Sequence, residues 1–328
     1  MASATPTTGD LALRPATLDD AAFVADVLTA ARPDDPVDPV LLAYSWTHPW
    51  DDSVWDRLVV TRGGRDVGLA AVNHPRHWAE MPERYARVQA ELVPGARDAA
   101  RLAALFDALE RRAAAAGALR SSSWVWADDA VKMEAALARG FREARRERFW
   151  ELDLAANAER VREMARDARE RMRAQGIRVL ALAEDRDADR YRKLWAMSNE
   201  AQQDVPTTVP HTTPPLGSFI TALRSPGLRE DRIWIARLGD DIVGVSMLEY
   251  PPVRGIVQTD WTGTARSVRG RGVARALKCE TLVQALALGV DRVRTDNDSE
   301  NAPILHINET MGYRRRTDNV QLTKELAR

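Results

Sequence analysis

The chain has 328 residues, which at roughly 150 residues per domain suggests two domains. Hydrophobic residues make up 45% and charged residues 29%, a composition that excludes disorder along the whole chain. The 47 Lys and Arg residues balance 48 Asp and Glu residues to a net charge of −1, so neither nucleic acid nor an anionic membrane is an expected partner. No apolar run approaches the ~18 residues of a transmembrane helix.

The N-terminal segment and the cysteine count point to a cytoplasmic protein. Residues 1–10 are polar, lack the basic and apolar regions of a secretory signal, and are predicted to form a disordered tail. Cys279 is the single cysteine, so an intrachain disulfide and a cysteine-based zinc site are both excluded. A reducing compartment is therefore expected, and no metal site is predicted.

Periodicity and turn residues predict two α/β domains with one order of elements. The first domain, 11–154, has predicted strand 11–16, helix 17–31, hairpin 57–61 and 66–72, helix 98–116, strand 121–126, helix 128–139 and strand 149–154. A charged helical connector, 155–176, follows. The second domain, 177–328, has strand 177–182, helix 187–199, hairpin 233–237 and 242–249, strand 255–264, helix 273–288, strand 292–295, helix 302–311 and strand 320–326.

Equal spacings support an internal repeat. A separation of 172 residues joins each of three pairs: Gly117 and Gly289, Gly140 and Gly312, and Arg97 and Arg269. The hairpin glycines, Gly68 and Gly244, are 176 apart, so the offset shifts by four residues upstream. Two copies of one module explain these spacings.

A glycine-rich loop in the second copy suits a phosphate group. Gly270 and Gly272 allow the backbone to approach a ligand closely, and the helix that follows presents unpaired amides at its positive end. Arg269 and Arg271 add positive charge. The loop is neither a Walker A motif nor a Rossmann fingerprint, and taken alone it fits equally a turn solvated by its arginines.

The residues around this loop resemble the GNAT superfamily of acyl-CoA-dependent N-acetyltransferases. Arg269, Gly272 and Ala274 match the superfamily motif Arg/Gln-x-x-Gly-x-Gly/Ala, which lies between a strand and a helix. Asn301 and the triplet 311–313 (Met-Gly-Tyr) match a second motif, an Asn followed by a helix that ends in Leu-Gly-Phe.

The similarity is strongest to tandem-domain bacterial members of the superfamily. It covers essentially the second half of the chain, above all residues 262–313, and an Asp-x-Pro element at 204–206. It implies an α/β fold made of two tandem GNAT-like domains, each a twisted mixed (α+β) β-sheet flanked by helices.

The resemblance implies acetyl-CoA as cosubstrate. Its pyrophosphate would rest on residues 269–274, its pantetheine arm would pair with 261–268, and an amide near Thr264 or Ala265 would polarise the thioester carbonyl. The expected cofactor contacts are Thr264, Ala265, Val268, Arg269, Gly270, Arg271, Gly272, Val273, Ala274, Asn301 and Asn308.

Direct attack by an amine needs a general base, for which the sequence offers three candidates. Asp260, Glu249 and His211 are these candidates, and each has a structural alternative: an ion pair, a solvated strand end and a loop surface residue, respectively. Many family members protonate the leaving thiolate with a Tyr at the position of Asn308. An amide is not an acid of that kind, so the general acid is open.

The first copy is predicted not to bind CoA. At the offset of 172, Asp98 replaces Gly270 and Ala100 replaces Gly272, so a carboxylate and a side chain stand where the phosphate loop needs glycine. This copy is read as structural or substrate-shaping, and a second, divergent CoA site is the alternative.

The sequence therefore predicts an acyltransferase, an acetyl-CoA-dependent N-acetyltransferase that acts on a primary amine of a small molecule. Two alternatives stay open: a non-catalytic CoA-binding sensor or scaffold, and a mycothiol-synthase-like acetyltransferase. The expected partners are a small-molecule amine and neither nucleic acid nor membrane. The expected state is a monomer or a homodimer.

Overall fold

The computed structural model describes residues 7–49, 53–208, 211 and 213–326. Its strands are β1 (Thr7–Thr8), β2 (Leu11–Pro15), β3 (Ser53–Arg62), β4 (Arg65–Pro75), β5 (Tyr85–Leu92), β6 (Arg120–Trp126), β7 (Arg142–Asp153), β8 (Ile177–Ala181), β9 (Ile233–Leu238), β10 (Asp241–Glu249), β11 (Gln258–Thr264), β12 (Arg292–Asp298), β13 (Arg314–Arg315) and β14 (Asn319–Glu325). Its helices are α1 (Ala21–Ala31), α2 (Pro39–Thr47), α3 (Ala99–Ala115), α4 (Ala130–Ala138), α5 (Ala158–Ala174), α6 (Arg190–Gln202), α7 (Leu216–Ala222), α8 (Val273–Ala287) and α9 (Ala302–Met311).

The chain forms two compact units whose limits differ from the boundaries predicted at 154 and 177. Unit 1 comprises Met1–Glu147, Thr208–Thr212 and Thr317–Arg328, and unit 2 comprises Arg148–Thr207 and Thr213–Arg316. The C-terminal strand β14 therefore belongs to unit 1, where it pairs with β6 and with the first half of β7. The predicted connector is also part of unit 2, because α5 buries Val161, Ala165 and Met172 there.

Unit 1 is a mixed sheet covered by helices. Its strand order is β1-β2-β3-β4-β5-β6-β14-β7, and its neighbouring strands are antiparallel except for the parallel pair β5 and β6. Apolar residues of these strands pack with α3 around the fully buried Phe106 and Phe141, whose rings lie 5.6 Å apart. Burial of such aromatic rings supplies much of the stability of a core.

Unit 2 is a second mixed sheet with helices on it. Strands β8, β9, β10 and β11 follow one another as antiparallel neighbours, and β12 lies parallel to β11. The end of α5 packs with α6, α8 and the inner residues of β9 and β10 into one apolar cluster that includes Met172, Leu194 and Leu277. The α/β class with mixed sheets flanked by helices is thus confirmed in both units.

The glycines that indicated the repeat occupy matching places in the two units. Gly68 lies opposite Leu92 in the β4–β5 pair, and Gly244 lies opposite Thr264 in the β10–β11 pair. A Cβ on Gly68 would stand 2.3 Å from the Glu91 carbonyl oxygen. A Cβ on Gly244 would stand 2.9 Å from Leu277 and 3.0 Å from Val273. Gly68 therefore serves close packing against β5, and Gly244 serves close packing of β10 against α8.

The sequence-based assignment missed β5, α2 and α7. Strand β5 was missed although Ala86, Val88, Ala90 and Leu92 alternate with polar residues, because small alanines give a weak apolar signal. Helix α2 was not predicted, although Asp38 caps its first turn by accepting from the amides of Val40 and Leu41. Of the predicted tail 1–10, residues 1–6 lie outside the described residues, and Thr7–Thr8 pairs with β2.

Candidate active site

The parallel strands β11 and β12 are in register at only one point. Gln258 lies opposite Arg294, and the Arg294 amide donates to the Val257 carbonyl at 2.9 Å. Beyond this point β11 continues to Thr264 and β12 to Asp298 with no further pairing between them in the described structure. The two strands thus open into a cleft, and the open edge of β11 keeps free backbone groups for an extended ligand.

A β-bulge places Asp260 at this cleft. Met247 of β10 lies opposite Trp261, whereas the next residue, Leu248, lies opposite Thr259, so Asp260 is the extra residue on β11. Bulges of this kind redirect a side chain and occur next to active sites. Asp260 makes no hydrogen bond or ion pair with any residue that the structure describes.

Asp260 has the electrostatics of a general base. Part of the Asp260 residue is open to solvent, but the atoms packed around its carboxylate partly desolvate it and, together with the charge of Asp296 on β12, raise its pKa to about 6. Burial likewise raises the pKa of Asp296 to about 6, an effect that the ammonium group of Lys278 partly opposes. A carboxylate that titrates near pH 6 is basic enough to accept a proton at neutral pH and is mostly ionised there.

Lys278, in the middle of α8, is a buried lysine whose charge acts on Asp296. Its side chain is 2% exposed, and its Nζ has no hydrogen-bond partner among the described residues. The ammonium lies 5.3 Å from the centre of the Tyr313 ring. Burial lowers its pKa to about 8, although the charge of Asp296 favours the protonated form. Neither Lys278 nor Asp296 was predicted to be a site residue. A lysine in a helix, here next to Cys279, is normally expected at the surface.

The N-terminus of α8 is built to accept an anion. Gly270 and Gly272 have φ of +74° and +87°, a region that favours glycine, and no side chain caps the helix in the described structure. The amides of Gly270, Gly272, Val273 and Ala274 find no acceptor in the described part of the chain. Free amides at the positive end of a helix suit a phosphate or pyrophosphate.

Both arginines of the loop have partners inside unit 2. Arg269 and Arg266 each contact the Asp204 carboxylate at 2.7 Å, and they hold its pKa well below the usual range. Arg271 donates through Nε to the side-chain oxygen of Gln175 at 2.8 Å. Asp204 belongs to the Asp-x-Pro element, so that element fixes the loop through Arg266 and Arg269.

The backbone amides of Thr264, Ala265 and Val268 differ in whether they are free to bind a ligand. The Ala265 amide donates to the Val243 carbonyl at 2.9 Å, so it is committed to the sheet and is not free to polarise a thioester. Because successive amides of a strand point to opposite sides, the Thr264 amide points away from β10, towards the open edge of β11. The Val268 amide donates to the Ala265 carbonyl, and its side chain is buried in the core.

The two predicted asparagines have different surroundings. Asn301 precedes the first residue of α9 and makes no capping hydrogen bond with its side chain. Asn308 is fully buried; its amide nitrogen donates to Asn297 at 2.6 Å, and its Oδ1 has no partner among the described residues. A contact of either residue with the cofactor stays a prediction.

The three candidate bases belong to different elements of the structure. Glu249 ends β10 opposite Gln258, whose amide lies 3.5 Å from its carboxylate, so it is near the start of the cleft. His211 belongs to the segment Thr208–Thr212, which is part of unit 1. Asp260 combines a place in the cleft with a pKa raised to about 6.

In unit 1, a carboxylate of the chain itself occupies the position of the phosphate loop. Asp98 immediately precedes α3 and accepts a hydrogen bond from the Arg101 amide at 2.7 Å. Arg97, which precedes Asp98, is paired with Glu91 and Asp129. The helix of unit 1 begins two residues earlier than the 172 offset implies, so Asp98 corresponds to Gly272 and Ala100 lies inside α3.

Comparison with solved structures identifies the architecture. The chain is similar over 97% of its length to 99% of a tandem GNAT protein from the clavulanic acid biosynthesis pathway, solved without AcCoA, with a TM-score of 0.72 and 18% identity. The chain has the tandem GNAT fold. A GCN5-related N-acetyltransferase from Sphaerobacter thermophilus is similar at a TM-score of 0.66 and 16% identity, with 99% and 98% of the two chains covered.

A third structure with this fold is a putative acetyltransferase from Pyrococcus horikoshii. Its TM-score is 0.56 at 13% identity, with 99% of this chain and 92% of that chain covered. No protein-family model and no curated protein matches the sequence. The likeness therefore lies in the tandem GNAT fold, and the chemistry has to be argued from the site.

Three further observations limit the chemistry of the site. Within the described ranges, no group of three His, Cys, Asp or Glu side chains is arranged to hold a metal ion. No described helix is long and apolar enough to cross a membrane. Cys279 is fully buried, and burial raises the pKa of its thiol to about 12, so it is not a reactive nucleophile.

Proposed function

We propose that unit 2 catalyses acetyl transfer from acetyl-CoA to a primary amine of a small molecule. The observation that carries the proposal is a juxtaposition in one cleft: the uncapped N-terminus of α8 after Gly270 and Gly272, the open edge of β11, and Asp260 on the bulge. The residues present fit the cosubstrate, since free amides suit its pyrophosphate and the open strand edge suits its pantetheine arm. Acetyl-CoA supplies the acyl group as an activated thioester.

Each residue of the cleft has a distinct task in this proposal. Asp260 accepts the proton that the attacking amine must lose, directly or through one water molecule. The Thr264 amide donates to the oxygen on which negative charge develops. Binding both reactants in one cleft contributes much of the rate by fixing their orientation.

Lys278 takes the role that Asn308 cannot fill. The leaving thiolate needs a proton or a compensating positive charge, and an amide supplies neither. The buried ammonium of Lys278, with a pKa lowered to about 8 by burial, is a stronger acid than an ordinary Lys and has no hydrogen-bond partner among the described residues. It is therefore assigned to stabilise and protonate the sulfur.

A thiol-release assay tests this function. Wild-type protein is mixed with acetyl-CoA and a panel of small-molecule primary amines, and free CoA is measured over time. Asp260→Asn should lower the rate by about 10²–10⁴-fold, whereas Glu249→Gln, on the neighbouring strand, should keep most of it. Release of CoA that does not depend on an added amine, or on Asp260, would contradict the proposal.

The burial of Asn308 at the position of the family's Tyr favours a second candidate, a CoA-binding sensor or scaffold without catalysis. Both candidates require acetyl-CoA to bind, but the sensor would release no free CoA with any amine. No feature of the described residues favours a mycothiol-like substrate. A cytoplasmic location and a monomeric or homodimeric state accompany the main proposal.

A further inference from the structure

Unit 1 contains a cavity of its own at the place where unit 2 has its cleft. Strands β5 and β6 are parallel and pair only from Tyr85–Arg87 to Arg120–Ser122, after which they diverge. The space between them is a cavity of about 650 Å³. This volume is within the range of small-molecule sites, which is roughly 300–1,000 Å³.

Most charges in the cavity wall are neutralised by neighbours. Arg32 pairs with Asp35 at 2.6 Å and with Asp128 at 2.8 Å. Glu91 contacts Arg97 at 2.7 Å and Lys132 at 3.4 Å. These pairs satisfy the acids and bases that they contain, so they shape the cavity more than they attract a charged ligand.

Arg87 is the exception. It lies on β5 at the last point of pairing with β6, and it lines the cavity. Its guanidinium donates no hydrogen bond to any residue in the described ranges. The Arg87 residue is open to solvent on the cavity side of β5, and the atoms packed around it partly desolvate the guanidinium and lower its pKa, an effect that the charge of Glu147 opposes in part. A guanidinium with unused donors in a partly dehydrated cavity favours an anion of matching planar shape.

The other residues of the cavity wall determine which chemical group the anionic ligand carries. Trp124 and Trp126 of β6 line the same cavity, and Arg32 lies 3.9 Å from the centre of the Trp126 ring, which holds that side chain in place. Indole side chains favour flat apolar groups. In unit 1, Asp98 caps the start of α3, which is the position that corresponds to the pyrophosphate site proposed for unit 2. Its negative charge disfavours a pyrophosphate there.

We propose that the cavity of unit 1 is a second ligand site, which binds a small aromatic carboxylate with its carboxylate on Arg87 and its ring against the tryptophans of β6. The site is separate from the acetyl-CoA site proposed for unit 2. Arg87 supplies one positive charge without an ion-pair partner in the described ranges, which matches a ligand with a single carboxylate. A ligand bound here would make unit 1 a recognition domain rather than a structural copy.

A titration of the full-length protein with salicylate tests the site, with saturation-transfer NMR as the readout. Salicylate should bind saturably, with a Kd of about 1 mM or tighter. Arg87→Gln should weaken binding at least about tenfold, and Arg87→Lys should weaken it less, since it keeps the charge but loses the planar fork. Arg65→Gln, an exposed arginine of the β3–β4 turn outside the cavity, is the matched control and should leave binding unchanged.

Competition experiments separate this proposal from its rivals. Saturating acetyl-CoA should not displace salicylate, and inorganic phosphate should displace it poorly. Absence of saturable binding, equal binding by Arg87→Gln in a folded state verified by its unchanged Tm, displacement by acetyl-CoA, or displacement by phosphate at comparable concentrations would each overturn the assignment. None of these results depends on amine acetylation, so a failure here leaves the proposed function of unit 2 in place.

Discussion

Asp260 and Asp296 lie on the two strands that diverge in unit 2, and the negative charge of Asp296 helps to raise the pKa of Asp260 to about 6. Two carboxylates in one partly desolvated cleft cannot both ionise as easily as isolated ones, so their titrations are coupled. The pH dependence of the reaction follows from this coupling.

The rate should fall on the acid side with a midpoint near pH 6, because a protonated Asp260 cannot accept the amine proton. Asp296→Asn removes the neighbouring negative charge, so the Asp260 pKa falls and the midpoint should move to lower pH. The measurement is kcat/KM for acetyl-CoA and one active amine between pH 4.5 and 8, corrected for ionisation of the amine. A midpoint that stays in place or rises in Asp296→Asn would show that the carboxylates are not coupled.

Replacement of Lys278 should stabilise the protein while it slows the reaction. In the folded state the Lys278 pKa is about 8, against 10.5 for an ordinary lysine, so the folded protein binds fewer protons between these values. The desolvation cost is therefore present in full below pH 8 and declines as pH rises towards 10.5. Lys278→Met should raise unfolding stability at pH 7 by about 2–3 kcal/mol, with a lower kcat.

Denaturant unfolding at pH 7 and at pH 10, together with the thiol-release assay, tests this prediction. The stability gain of Lys278→Met over wild type should be smaller at pH 10 than at pH 7. A variant that is less stable at pH 7, or one with unchanged kcat, would contradict the role assigned to this side chain.

Gly244 should tolerate no side chain, because its Cβ would stand 2.9 Å from a Leu277 methyl group and 3.0 Å from a Val273 methyl group. Gly244→Val should destabilise the protein by about 1–3 kcal/mol through overpacking between β10 and α8. Gly217→Val is a suitable control, since no atom lies within 4 Å of its Cβ position. Thermal unfolding followed by circular dichroism measures both, and an equal loss of Tm in the two variants would contradict the packing argument.

Asp98 should stabilise the protein as a helix cap, and its replacement should not create a CoA site in unit 1. Asp98→Ala removes the bond to the Arg101 amide and should cost about 1 kcal/mol of unfolding stability. The number of acetyl-CoA molecules bound per chain should stay at one, which calorimetry measures. A second acetyl-CoA site in this variant would mean that the Asp98 carboxylate alone keeps CoA out of unit 1.

Local signals explain what the sequence could predict. Helix α8 and the loop before it follow from Gly270, Gly272 and an apolar periodicity, all of which are short-range features. Asp260 was found because it directly precedes the loop along the chain. Its bulge was not predictable, because a bulge depends on the register between β10 and β11.

Long-range pairing explains what the sequence could not predict. The place of β14 in unit 1 depends on partners about 200 residues away, such as Ser123 opposite Leu322, and a linear repeat assigns that strand to the wrong half. Lys278 and Arg87 are candidates only from the fold, which buries the Lys278 side chain and places Arg87 in the wall of a cavity.

Calorimetric titration of acetyl-CoA into Gly272→Glu and Gly289→Glu variants tests the central claim most directly. Gly272 precedes α8 and Gly289 follows it; both have positive φ, +87° and +79°, so both variants bear similar backbone strain and the same added charge. The proposal predicts one site per chain in the wild type, a loss of affinity of at least about 100-fold in Gly272→Glu, and near wild-type affinity in Gly289→Glu. No binding by the wild type, or equal losses in the two variants, would contradict it.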